Sequence, residues 1–284
     1  MEFPITKVVC SDLSPLLVEI PDAPTHLYVR GELSPTNKRL AVVGSRNYSN
    51  YGKQAVERLI EGLRGYPVSV VSGLALGIDA LAHEAALRAH LHTIAVPGSG
   101  IADRVIYPRR NRGLAARILE SGGALVSEFE PDFEATPWSF PKRNRIMAGL
   151  SHAVLLIEAS ERSGTLITAR LAADFNREVL VVPGSIFSEN SHGVHQFLKL
   201  GATPVTSPDD IIDALGFAEH VSARTTPPVS DDESAVLAVL SEPRDHDSII
   251  RLLPFPRERT LVLLMEMELA GLVRDENGIV YRAD

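Results

Sequence analysis

The chain has 284 residues, 45% of them apolar, and 28 Lys and Arg against 36 Asp and Glu give it a formal net charge of −8. That length supports one large core, or a large one and a small one; no apolar run approaches the ~18 residues that span a bilayer, and MEFPITKVVCSDLS at the N-terminus lacks the basic and apolar regions of a signal peptide. The single cysteine, Cys10, excludes an internal disulfide and any cysteine-built metal cluster, so a cytoplasmic, membrane-free protein is expected.

In chain order, residues 1–24 are punctuated by proline and read as a short N-terminal segment without clear periodicity. Leu27-Tyr28-Val29 reads as a short strand, and a regular alternation follows. Apolar strands are predicted at Arg39–Gly44, Val68–Gly73, Thr93–Pro97, Ala124–Glu128, Ala153–Glu158, Val179–Pro183 and Thr203–Val205. Helical stretches separate them, ending at about Arg64, then over Ile78–Ala89, Arg112–Ser121, Leu166–Phe175, Val194–Leu200 and Pro208–Leu215. Strands apolar on both faces and separated by helices indicate a parallel sheet covered on both sides. The fold class is therefore α/β: an extended, Rossmann-like, doubly wound and mostly parallel sheet over residues 25–217. Residues 218–230, with Thr225-Thr226-Pro227-Pro228, read as a stiff linker. Residues 231–284 carry three helical stretches (Asp231–Leu240, Asp247–Leu253, Pro256–Ala270) and a hairpin with Asn277-Gly278 at its turn, the pattern of a small winged helix.

Charge is uneven along this plan. Residues 1–37 hold 2 cations and 5 anions, residues 38–216 hold 19 and 18, and residues 217–284 hold 7 and 13. A polyanion would therefore be met by the middle of the chain, and the acidic tail is suited to protein contact. The densest basic element is SFPKRNRIMAGLS (Ser139–Ser151), read as a loop running into a short apolar segment. Lys142, Arg143 and Arg145 lie there beside Asn144, Trp138 and Phe140; either these cations neutralise phosphates and an aromatic face stacks on a base, or the stretch is a solvated basic turn with Trp138 and Phe140 packed in the core. A second basic loop sets Arg104, Arg109, Arg110 and Arg112 around Tyr107-Pro108 and Asn111. A third element is the turn Gly44-Ser45-Arg46 at the end of a strand, where such sheets bind ligands. It either receives an anion on its N–H groups and Arg46 or is a tight turn with an exposed arginine. Three such elements on one sheet edge favour a phosphate-lined groove. No G-x-G-x-x-G and no acidic residue closing the second strand speak for a dinucleotide, so no cofactor is expected. Asp79 and His83 share a helix face and are read as a structural hydrogen bond, and Ser163 or Thr165 as the cap of the helix that follows; no metal is expected.

Together, Gly44-Ser45-Arg46, SGLALGIDALAH (Ser72–His83), YPRRN (Tyr107–Asn111), FPKRNRIMAGLS (Phe140–Ser151) and EASERSGTLITARLA (Glu158–Ala172) resemble the DNA-processing protein A (DprA/Smf) family, and Pro183–Ser185 and Gly193–Ala202 continue the likeness. The resemblance covers about residues 25–217. It implies a non-enzymatic, homodimeric protein that binds and protects incoming single-stranded DNA and loads the RecA recombinase on it during natural transformation. Carried over by motif, the DNA-binding residues are Gly44, Ser45, Arg46, Arg109, Arg110, Phe140, Lys142, Arg143, Asn144 and Arg145. The dimer or recombinase face falls within Phe187–Leu215, with Phe187, Val194, His195, Phe197 and Leu198 the expected contacts. The sequence departs from the family in three places. Only about 25 residues precede the Rossmann core, where many members carry a helical domain; Asn176 stands where a glycine commonly ends a helix; Val194-His195 replaces a Gly-x-Asn pattern. An enzyme of the nucleotide phosphoribohydrolase kind is the rival reading; its P-G-G-x-G-T-x-x-E glutamate has no counterpart in PGSIFSE or RSGTLITA.

Overall fold

A computed structural model describes residues 3–161, 163–217, 230–240, 242–269, 272–276 and 278–282. The chain forms two units, Met1–Ala218 and Glu219–Asp284. Residues 218–229 of the expected linker, and Asn277 of the expected turn, lie outside the described residues.

The first unit runs β1 (Ile5–Val9), α1 (Cys10–Leu13), α2 (Pro15–Val18), β2 (His26–Gly31), β3 (Lys38–Val43), α3 (Asn50–Glu61), β4 (Val68–Ser72), α4 (Ile78–Arg88), β5 (His92–Ala95), α5 (Arg112–Glu120), β6 (Ala124–Ser127), α6 (Ser139–Leu150), β7 (Ala153–Leu156), α7 (Thr165–Asp174), β8 (Glu178–Val181), α8 (Glu189–Lys199), β9 (Thr203–Pro204) and α9 (Pro208–Ala214). Nine strands make one sheet in the order β1-β2-β6-β5-β4-β3-β7-β8-β9. From β6 to β9 every pairing is parallel. β2 joins β6, and β1 joins β2, in antiparallel register. The N-terminal segment thus extends the sheet. Its strand was illegible in the sequence because β1 is an edge strand with three of five residues exposed.

Successive residues of β3 serve opposite faces, as a period of two requires. Leu40 and Val42 pack with α3, α4 and α9, while Ala41 and Val43 pack with α2, α6, α7 and α8. Both sets are buried, which is why the strand is continuously apolar. The order reverses between β3 and β7, since the chain leaves β3 for β4 on one side and returns to β7 on the other. At such a switch point an open α/β sheet presents a crevice at its carboxyl edge.

The second unit contains α10 (Asp231–Val239), β10 (Arg244–Asp245), α11 (His246–Leu252), α12 (Arg257–Leu269), β11 (Val273–Glu276) and β12 (Ile279–Arg282). Its sheet has the order β10-β12-β11. Val236, Ile249, Leu264, Met267 and Val280 fill its core. Ser230 and Glu233 form a capping box on α10, and Asp245 accepts from the Ser248 N–H to cap α11. Three helices and a hairpin make it a winged helix.

Candidate nucleic-acid interface

The carboxyl edge of the sheet gathers the turns after β3, β4 and β5. Gly44 and Gly77 let the first two meet: a Cβ at Gly44 would collide with Ile78, and one at Gly77 with the backbone of Ser45 and Arg46. Gly77 also has φ 88°, a conformation glycine tolerates without cost. The Ile78 N–H donates to the Ser45 carbonyl at 3.2 Å. This close packing fixes the backbone from which Arg46 projects. Arg46 is exposed, and among the described residues no carboxylate pairs with it. Its guanidinium carbon lies 5.7 Å from the centre of the Phe140 ring. Phe140 rests on Gly98, where a Cβ would strike the ring. Tyr107 is tilted 52° to Phe140 at 5.7 Å and is half exposed. Gly73, Leu76 and Pro108 complete a cleft around Arg46, Tyr107 and Phe140.

The basic cluster after Phe140 is not a loop. Residues 139–150 form α6, and Pro141 is accommodated in its first turn, where a missing N–H is of no consequence. Helical spacing then sorts the cations. Arg143 falls on the face of Ile146, Met147 and Leu150, at i+3, i+4 and i+7, and is 5% exposed. It donates to the Gly73 carbonyl at 2.6 Å, to the Val96 carbonyl and to Asn144 Oδ1. A Cβ at Gly73 would collide with both Arg143 and Asp79. Burial lowers the Arg143 pKa to about 10, with Asp79 opposing the shift, so the guanidinium stays charged at neutral pH. Asn144 is buried as well. Arg145 donates to Glu128 at 2.5 Å and to the Asp22 carbonyl at 2.5 Å. Lys142 alone of the three cations points outward, 44% exposed, with its ammonium 3.5 Å from Glu128. Arg143, Asn144 and Arg145, expected at the DNA, thus make internal contacts here: these side chains hold the turns after β4 and β5, and the β6 end, in place.

The second basic loop divides similarly. Arg104 pairs with Asp132 at 2.6 Å, and Arg112 donates to the Arg104 and Ile106 carbonyls. Arg109 and Arg110, in a 3-10 turn, are exposed, with no carboxylate partner among the described residues. Asn111, whose role the sequence left open, donates from its amide to the Leu74 and Ala75 carbonyls at 2.8 and 3.1 Å. It moors this loop to the turn after β4.

The switch-point crevice is already filled. Glu158, 3% exposed, reaches from the end of β7 to the start of α3. Its carboxylate accepts from the Ser49 N–H at 2.9 Å and the Ser49 hydroxyl at 2.6 Å. A Cβ at Gly52 would collide with it. The N-terminal end of a helix attracts anions, and here the anion is part of the chain. Thr165 ties α7 to the same turn by donating to the Gly44 carbonyl at 3.1 Å. Gly164, not Ser163 or Thr165, stands at the N-cap of α7, although Ser163 Oγ accepts from the Thr165 N–H at 3.2 Å.

Asp79 and His83 do not bond to each other, contrary to the sequence reading. Asp79 accepts from the Gly73 N–H at 3.1 Å, and burial raises its pKa against the pull of Arg143. His83 Nδ1 lies 2.7 Å from the Thr93 hydroxyl, which itself donates to the Val70 carbonyl; the ring N–H is therefore on Nδ1. Nε2 has no partner among the described residues, and burial depresses the ring's pKa to about 3.

α8 also corrects an expectation. Val194 and Phe197 are buried against Ala159, Val181 and the rest of the main core, Leu198 packs partly on it, and His195 Nε2 lies 3.0 Å from the Gly184 carbonyl. Helical periodicity marked this face as apolar, and the protein's own sheet uses it. The exposed apolar residues nearby are Ile186, Phe187, which is 91% exposed, and Leu200. Asn176 has φ 54°, the left-handed conformation that suits the glycine it replaces and that asparagine tolerates.

Among the described residues no three His, Cys, Asp or Glu are placed to hold a metal, and no helix is long and apolar enough to cross a membrane. The family model for DNA recombination-mediator protein A matches residues 7–216, and that for the DprA winged helix domain matches residues 220–278. Protein Smf of Escherichia coli is 47% identical over 207 residues, 72% of this chain and 55% of that protein; the chain thus spans about half the length of that relative. DNA processing protein DprA of Streptococcus pneumoniae is 43% identical over 202 residues, 71% of this chain and 70% of that one. Its crystal structure superposes with a TM-score of 0.69 and 41% identity, over 75% of this chain and 74% of that one. DNA processing protein A of Helicobacter pylori, described for its single-stranded DNA binding mode, superposes with a TM-score of 0.67 and 29% identity, over 75% of this chain and 96% of that one. With the motifs in order on a matching fold, this chain belongs to the DNA recombination-mediator protein A family.

Proposed function

We propose that the chain is a non-enzymatic mediator of DNA recombination that binds single-stranded DNA along the carboxyl edge of its large sheet. One observation carries this reading. Arg46, with no carboxylate partner among the described residues, stands over Phe140 and beside half-exposed Tyr107, in a cleft with apolar walls. A guanidinium next to open aromatic faces suits a phosphate next to an unpaired base, and a duplex keeps its base faces stacked inside. Lys142, Arg109 and Arg110 extend the site with outward-facing charge. The single-strand binding described for the Helicobacter pylori relative supports the assignment. Family membership supports the finer reading: in the cytoplasm, a homodimer covers incoming single strands and loads the RecA recombinase on them during transformation. Ile186 and Phe187, ahead of α8, and Leu200, at its end, are the exposed apolar residues offered for the second copy or the recombinase.

The deciding measurement is a band shift with single- and double-stranded oligonucleotides of one sequence. Retarded single strand at concentrations that leave duplex free is the expected result. Equal affinity for both, or release of free base from nucleoside monophosphates incubated with the protein, overturns the reading.

A further inference from the structure

The first turn of α6 carries aromatic rings on two sides. Side chains two positions apart on a helix leave it about 200° apart, and those four apart share a side. Phe140 therefore faces Arg46 and Tyr107, while Trp138 and Lys142 face the other way. On that side Trp138 meets Phe129 at 5.6 Å and 79° and Phe133 at 5.6 Å and 63°, and these two rings stack on each other at 4.5 Å. The indole is thus held in place from below, yet it is 55% exposed. The Lys142 ammonium lies 5.7 Å from the centre of the Phe129 ring, beside the same platform.

The acidic loop under this platform is partly neutralised. Glu128 is held by Arg145 at 2.5 Å and lies 3.5 Å from the Lys142 ammonium, which is 44% exposed. Asp132 is held by Arg104. Glu130 and Glu134 lack a cationic partner among the described carboxylates of residues 128–134.

We infer that Trp138 is a second base platform: a single strand bound at Arg46 and Phe140 continues over the first turn of α6, gives a phosphate to Lys142 and stacks a base on the exposed indole. This rests on the single-strand reading above and extends the site by a residue that lies outside the motifs, the nearest of which begins at Phe140. A packing role alone would bury the indole; here Trp138 stays 55% exposed, four residues ahead of the outward-facing lysine.

Trp138 is the only tryptophan in the chain, so its emission reports on this position alone. The full chain is titrated with oligothymidine while Trp emission and the anisotropy of a labelled oligothymidine are followed in parallel. The expected result is quenching that saturates with the anisotropy change, about tenfold weaker binding for Trp138→Ala and near-normal binding for Trp138→Phe. If the oligonucleotide binds, emission stays constant and Trp138→Ala binds like the parent, the platform is refuted and the single-strand reading stands. Should Trp138→Ala fail to fold, quenching of the unaltered chain still decides. If the folded parent binds no oligothymidine, the single-strand reading falls and takes this inference with it.

Discussion

Arg143 gives the sharpest test of how the basic motif is used. Its guanidinium satisfies the Gly73 and Val96 carbonyls and faces Asp79, which is itself buried. Arg143→Ala would leave two buried carbonyls without donors and a buried carboxylate without its cation. Breaking a buried charge pair from one side costs about 3–5 kcal/mol, a large share of the roughly 5–15 kcal/mol that holds a domain folded. At about 2–4 °C per kcal/mol for a domain of this size, Tm should fall by about 10 °C. Thermal melting by circular dichroism measures this directly. Because the isolated Asp79 carboxylate causes much of the loss, Arg143→Ala combined with Asp79→Ala should melt well above the sum of the two single effects. An Arg143→Ala protein that melts like the parent yet has lost DNA affinity would show that the side chain leaves its pocket to bind phosphate, and the burial argument would be wrong.

Arg46→Ala and Lys142→Ala should leave Tm within about 1 °C, since exposed charges contribute little to stability; each should weaken single-strand binding and reduce the salt slope by roughly 0.7, and an unchanged slope would remove that residue from the site. Gly52→Ala should destabilise by about 1–3 kcal/mol in urea unfolding, because its methyl group collides with the Glu158 carboxylate. His83 is neutral when folded, with a pKa near 3 against 6.5 in the unfolded chain. Its contribution is thus complete above pH 6.5 and declines by about 1.4 kcal/mol per pH unit as pH falls toward 3; His83→Gln should flatten that limb of the stability profile. Phe187→Glu should lower self-association in sedimentation without lowering Tm, whereas a change at buried Phe197 should unfold the protein first.

The sheet was legible because burial on both faces leaves a continuous apolar signature, as at β3, β4 and β7. The winged helix was legible through its three helical stretches and hairpin. β1 was not, because an edge strand alternates weakly and its pairing with β2 is a long-range fact. The larger error concerned α6. Three cations in four residues read as one exposed cluster, although Arg143 sits at helical spacing from Ile146, Met147 and Leu150. That spacing was present in the sequence; the proline in FPKR concealed it by suggesting a loop. Pairing partners were beyond reach: nothing local to Arg145 points to Glu128, and nothing local to Glu158 points to Ser49.

On the single-strand reading proposed above, Glu158 accounts for a site at the rim of the sheet. In an open α/β sheet the switch point offers one deep anion site, at the start of the helix after the first central strand. Here the helix end is occupied by Glu158, so a phosphate arriving there would meet a carboxylate 2.9 Å from the Ser49 nitrogen. Anionic ligands are turned away from the crevice and toward the rim, where Arg46 emerges just ahead of α3. The rim is wide and open, and its cations come from separate turns: Arg46 after β3, Arg109 and Arg110 after β5, Lys142 on α6. Separated cations suit phosphates spread along a flexible strand more than the clustered phosphates of a nucleotide. The buried residues of the same motifs, Arg143, Asn111 and the glycines at 44, 73, 77 and 98, hold those turns at the spacing the strand requires. Motif residues in this chain therefore divide into exposed ones, proposed to meet the strand, and buried ones that hold the turns in place.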